Sequence, residues 1–226
     1  MNQIKQILLT GILLFCIVPA MAQSKKNRVA AKPAKKTIVV SKPVVKPVNI
    51  SPRLKAFLKL SEQANVSFTF PRDFKETNAP NNEDFSFDYG IELPGQDFEI
   101  WFQVRSLKEN FASYERSIGD RNTRLENPDS LYLGLGTATA MSFTGDKDFF
   151  MRSIPPRYLT KYNADAGKSF LLNLQDMKIT KRYKYALLIT LQKDRTGSIL
   201  AVTFTNEKGP EFFKNINKAS NCIRFK

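Results

Sequence analysis

The chain has 226 residues, 35 Lys and Arg against 21 Asp and Glu, a net charge of +14 and no histidine. Without imidazole, Ser-His-Asp and Cys-His catalysis, His-containing zinc sites and the usual general base near neutral pH are excluded, whereas carboxylate pairs and a Ser-Lys dyad are not. Two cysteines, Cys16 and Cys222, make a disulfide framework unavailable once the leader described next is removed.

Lys5 precedes an apolar run from Ile7 to Val18, Pro19 breaks the run, and the small-x-small triplet Ala20-Met21-Ala22 follows. This predicts a secretory signal peptide over residues 1–22, with too short an apolar run to be read first as a membrane span. A periplasmic or secreted protein of Gram-negative export type is expected, with no transmembrane span after cleavage. Phe15 stands where a lipoprotein needs a small residue before its lipidated Cys16, so a lipid anchor is not expected. Residues 23–50 form a Lys/Pro-rich linker or arm with eight Lys and Arg and no acid. Pro33, Pro43 and Pro47 block a long helix there, and the lysines repel one another. Such an arm is either a solvated spacer or a surface-binding tail. Its expected partners are an anionic envelope polymer or lipid surface, or an envelope protein, and not nucleic acid. Removing Lys5 and those eight cations leaves +5 on residues 51–226, read as a single mildly basic domain.

Ser51-Pro52 caps a predicted helix with Leu54, Phe57, Leu58, Ser61 and Ala64 on one face. Val66–Phe70 alternates as a strand and stops at Pro71. Residues 85–105 read as an antiparallel hairpin. Phe85, Phe87, Tyr89, Ile91 and Leu93 face one way, then Pro94-Gly95-Gln96 turns the chain, and Phe98, Ile100, Phe102 and Val104 complete one apolar face. Leu107, Phe111, Tyr114 and Ile118 mark a helix closed by Gly119. Asn127-Pro128-Asp129-Ser130 caps a helix from Leu131 to about Phe143, whose Gly, Ala and Thr suit close packing on a sheet. Residues 144–166 read as a long loop. Strands are predicted at Ser169–Met177, Tyr183–Gln192 and Ser198–Thr205. The second is apolar on both faces and so is expected to be central and doubly covered. An amphipathic helix at Gly209–Ala219, using Phe212, Phe213 and Ile216, and a short strand at Asn221–Phe225 end the chain, with Cys222 as a small apolar residue in that strand. The sum is α+β: a mainly antiparallel sheet with helices on both faces, an α/β/α sandwich.

The segment Phe68-x-Phe70-Pro71-x-x-Phe74, the hairpin at 85–105 and the strand-turn-strand-helix at 183–219 together resemble the PsbP-like and DcrB-like superfamily of small secreted or lumenal α/β/α domains. That resemblance covers about residues 66–226. It implies a binding or assembly module and carries over no catalytic residue.

Candidate binding residues fall in two groups. Trp101, Glu99 and Arg105 lie out of phase with the apolar positions of their strand. Trp101 therefore either stands in a ligand groove or is core beneath a second helical layer, and the second is expected. Tyr158, Lys161, Arg182 and Lys184, with Tyr162, Lys181 and Tyr183, interleave bases with aromatics and suit a phosphate or sugar polymer. Asp88 and Glu99 are a conceivable carboxylate pair, and Asn163 and Asp165 an Asx turn. No cofactor or metal motif is present and no catalytic residue is assigned. The expected function is an exported, non-enzymatic binding or assembly module of the cell envelope. Its rival is a carboxylate-dependent hydrolase acting on envelope polysaccharide.

Overall fold

The computed structural model describes residues 50–120, 125–145, 149–180 and 182–226. The chain divides into a unit Met1–Pro47, none of which is among the described residues, and a unit Val48–Lys226. The predicted leader, Cys16 and nearly all of the basic arm thus lie outside the described residues, as does Lys181.

Helix α1 (Pro52–Gln63) starts where the sequence places it: Ser51 Oγ accepts the Leu54 N–H at 3.0 Å and Pro52 occupies the first turn. Strands β1 (Val66–Phe68), β2 (Lys75–Thr77), β3 (Tyr89–Glu92) and β4 (Phe98–Ser106) follow, then α2 (Lys108–Ser117) and α3 (Leu131–Thr144). Next come β5 (Phe150–Ser153), α4 (Pro156–Tyr162), β6 (Ala166–Asn173), β7 (Tyr185–Lys193), β8 (Gly197–Thr205), α5 (Pro210–Ala219) and β9 (Ile223–Phe225). Seven strands form one antiparallel sheet in the order β2-β3-β4-β8-β7-β6-β5, and β1 pairs with β9 in a small ribbon.

The pleat sorts side chains into two cores. Phe98, Ile100, Phe102 and Val104 of β4 pack with Phe57 of α1, Phe212 of α5 and Val66, Ile223 and Phe225 of the ribbon. Trp101 of the same strand packs on the opposite face with Phe87, Phe204, Leu188, Phe170 and the α3 residues Ala140 and Phe143. Helices therefore cover both faces, as the α+β reading expects. Gly136 is why α3 lies so close: a Cβ there would sit 2.7 Å from Thr190 Cγ2 and 3.0 Å from the Phe170 ring.

Four sequence expectations need correction. Phe85 and Phe87 do not share a face with Tyr89 and Ile91; they join the α3-side core, while Tyr89, Ile91 and Leu93 join the other. The pairing changes at Asp88, whose N–H bonds the Phe102 carbonyl at 2.8 Å while its carboxylate, in place of a backbone carbonyl, accepts the Val104 N–H at 2.7 Å. Residues 144–166 are not a loop: they hold β5 and α4, and Pro156 stands at the first helical position, where its missing N–H costs nothing. Strand β6 lies three residues earlier than expected and ends at Asn173. Strand β7 is covered fully on one side only. Ala186 and Leu188 are buried under α3, whereas Leu187 and Ile189 on the other face are only partly buried.

Candidate functional site

Two predicted site residues, Trp101 and Glu99, come together with Tyr183 inside the protein, and a third, Arg182, lies exposed beside them. Trp101 is 4 % and Glu99 6 % exposed. Trp101 Nε1–H donates to Glu99 Oε1 at 2.5 Å and the Tyr183 hydroxyl donates to Glu99 Oε2 at 3.0 Å. The Arg182 guanidinium lies over the Tyr183 ring at 5.0 Å. Burial, followed by the Glu99 charge, pushes the Tyr183 phenol well above its ordinary range. The cluster satisfies a buried carboxylate and offers no open face at Trp101.

Arg105 is committed elsewhere. It pairs with Asp88 at 2.8 Å and donates to Ser86 Oγ at 2.9 Å, locking the stretch in which the pairing changes. Asp88 and Glu99 are not a catalytic pair. Asp88 is held by the Val104 N–H and Arg105, whereas Glu99 is held by Trp101 and Tyr183 within the α3-side core, so each carboxylate is engaged by different partners. Lys184 is exposed beside Thr205, whose carbonyl accepts its N–H at 3.3 Å. The expected basic-aromatic patch is divided by the sheet: Tyr183 belongs to the α3-side core, and Tyr162 packs against the other. Asn163 and Asp165 are structural. Asn163 ends α4 at φ +50°, and Asp165 Oδ2 accepts the Asp194 N–H at 2.9 Å.

Tyr158 and Lys161 lead to an open groove of about 410 Å³. Its walls are α4 and α5, and its floor is Ser169 of β6 with Leu187 and Ile189 of β7. Ser169 and Ile189 are register partners, so they share the face beneath the helices. The cause of the groove is a mismatch of lengths. An eight-residue strand spans about 26 Å, a seven-residue helix about 10 Å, so α4 cannot roof the strand beside it. Phe213, 54 % exposed, and Tyr158, 46 % exposed, stand at the rim. The Arg157 guanidinium lies over the Tyr158 ring at 4.7 Å. Lys161 Nζ crosses from α4 to Ser220 Oγ at 2.6 Å. None of the lining residues is Asp or Glu, and Lys161 is their one cation.

Inward of the groove lies an apolar chamber of about 50 Å³. Tyr162, Ile189, Ile216 and Ser220 line both spaces, which therefore adjoin. Ile100, Phe102, Leu191, Ile199 and Cys222 complete much of its wall. Cys222 is a free buried thiol, as its reading as a small apolar residue expects, and burial pushes it up to about 12.

A second, polar hollow of about 240 Å³ lies at the start of α5, lined in part by Asp97, Glu207, Glu211 and Asn215. Asp97 there accepts from Asn206 Nδ2 at 2.9 Å and Glu211 pairs with Lys214 at 3.3 Å. Among the described residues no group of three or more His, Cys, Asp or Glu could hold a metal ion, and no helix is long and apolar enough to cross a membrane.

Sequence reasoning missed the groove floor, and it set Phe213 with Phe212 and Ile216 on the apolar face of the last helix, whereas Phe212 is buried and Phe213 is exposed. The signals were there. Phe212 and Phe213 are adjacent on a helix and cannot both face the core. The odd-numbered face of β7 is apolar and needs cover. No family model matches the chain, and no curated protein matches it.

Proposed function

We propose that this protein is an exported, non-enzymatic binding module of the cell envelope and that the α4–α5 groove is its ligand seat. One observation carries the reading. A well-formed apolar floor is left open to solvent between two helices, with exposed aromatics at its rim, in a volume within the about 300–1,000 Å³ usual for ligand sites. The leader read from residues 1–22 supports the address. The resemblance to PsbP-like and DcrB-like domains supports binding over catalysis. The carboxylates Asp88 and Glu99, on which hydrolysis would depend, are each engaged by neighbouring side chains or backbone.

The test is titration with N-phenyl-1-naphthylamine, a neutral dye that brightens in apolar sites, together with fractionation of expressing cells. Saturable binding at one site, lost in Leu187→Trp and weakened in Phe213→Asp while both variants keep the wild-type thermal midpoint within a few degrees, is the expected result. Dye binding unaffected by either change, or mature protein retained in the cytoplasm, refutes the proposal.

A further inference from the structure

We infer that the groove takes a single aliphatic chain ending in an anion, with the anion at Lys161 and the chain running inward over Leu187 and Ile189; this rests on the groove being the ligand seat. Three observations set the chemistry. First, charge: Lys161 is the one cation among the lining residues, no lining residue is acidic, and no carboxylate lies within ion-pair distance of its Nζ among the described residues. Its contact there is the neutral Ser220 hydroxyl, which leaves donors for an anion.

Second, the interior is apolar. Behind Ile189 and Ile216 the chamber is walled mainly by Ile, Leu, Phe and Ala side chains. A peptide pushed inward would bury amides without partners, which an apolar medium penalises strongly. A methylene chain carries no such groups and gains from every methylene it buries. Third, size: the groove and chamber hold about 410 Å³ and about 50 Å³. That suits one chain of middle length and is too little for two acyl chains with their headgroup. Side-chain rotation at Ile189 and Ile216 would join the spaces, and both residues are partly buried rather than locked in the core.

The probes are dodecanoate and dodecanol, equal in chain and different in charge, titrated calorimetrically below their aggregation limits. Dodecanoate is expected to bind at one site about tenfold more tightly than dodecanol. Lys161→Met should erase that difference, Lys161→Arg should keep most of it, and raised salt should weaken dodecanoate alone. Leu187→Trp should abolish binding of both. Equal affinity for the two probes, or a preference that survives Lys161→Met, overturns the anion assignment. Binding of neither overturns the aliphatic ligand. In both cases the groove reading stands if the neutral dye still binds and is expelled by Leu187→Trp. Dodecanoate binding that Leu187→Trp leaves intact places the site elsewhere and removes both proposals together.

Discussion

Trp101→Phe isolates what the buried polar cluster contributes to stability. The substitution keeps an aromatic ring among Phe87, Phe143 and Phe204, whose centroids lie 5.3, 6.3 and 4.3 Å from that of Trp101. It removes the N–H that Glu99 accepts. Losing a donor to a buried carboxylate costs about 1.5–3 kcal/mol, and the smaller ring adds about 1 kcal/mol of lost packing. The expected total is about 3 kcal/mol, read as a shifted urea midpoint at unchanged slope by far-ultraviolet circular dichroism. Trp101→Ala adds a cavity worth about 3–5 kcal/mol and approaches the whole stability of an ordinary domain. Tyr183→Phe removes the second donor. The double variant Trp101→Phe/Tyr183→Phe strands the carboxylate and should exceed the sum of the single changes by at least about 1 kcal/mol. A cost below about 0.5 kcal/mol for Trp101→Phe, or strong iodide quenching of the native Trp101 fluorescence, refutes the buried-cluster argument.

Three further outcomes are expected. In α3, Gly134 has open space at its missing Cβ and Gly136 does not. Gly134→Ala should therefore stabilise by about 0.5–1 kcal/mol, while Gly136→Ala should destabilise by about 1–3 kcal/mol despite the same helix propensity; equal shifts in thermal midpoint would contradict the packing. Asp88→Ala, which orphans the Val104 N–H and releases Arg105, should cost about 2–4 kcal/mol in urea denaturation, and a neutral result would show that the carboxylate is replaceable. The Cys222 thiol, raised from 9.0 to about 12, makes the folded chain hold a proton that the unfolded chain releases. Its contribution is complete below pH 9 and is lost toward pH 12 at about 1.4 kcal/mol per pH unit. Tyr162 and Tyr183, also raised by burial, add loss of the same sign above pH 10. Cys222→Ala should flatten the decline between pH 9 and 10, and an identical decline in both proteins would refute the assignment.

What was legible in the sequence was whatever local chemistry decides. Ser51-Pro52 fixes the start of α1, and the alternation Phe98, Ile100, Phe102, Val104 against Glu99, Trp101, Gln103 fixes both faces of β4. That alternation set Trp101 on the face opposite Phe98 and Phe102 and left cover by helices, the expected outcome, or a ligand groove; the α3 residues Ala140 and Phe143 decide for cover. The errors arose where a side chain takes over the work of a backbone partner. Asp88 accepts a strand N–H, so the period-two pattern through Phe85 and Phe87 runs on in the sequence after the ladder has changed. Pro155-Pro156 reads as a loop because two prolines break ladders, yet the second opens a helix that leaves its first N–H groups free in any case.

The groove was illegible for a different reason: it is a deficit of cover rather than a motif. On the α3 side, a fourteen-residue helix with Gly136 at its closest approach lies across β6, β7 and β8, and the core beneath it is closed. On the other side, α1, α5 and the β1–β9 ribbon cover the sheet over β3, β4 and β8, and only the seven residues of α4 remain for its far end. Leu187 and Ile189 alternate with Ala186 and Leu188 with no change of composition, so nothing in the strand itself says which pair is roofed. The roof is set by helix length, and the rim by which of two adjacent phenylalanines, Phe212 or Phe213, points inward. Lys161 acquires meaning only there. On an isolated helix it is one lysine among many, but at the mouth of an apolar groove whose lining holds no acid it is the charge against which a ligand's own charge is selected.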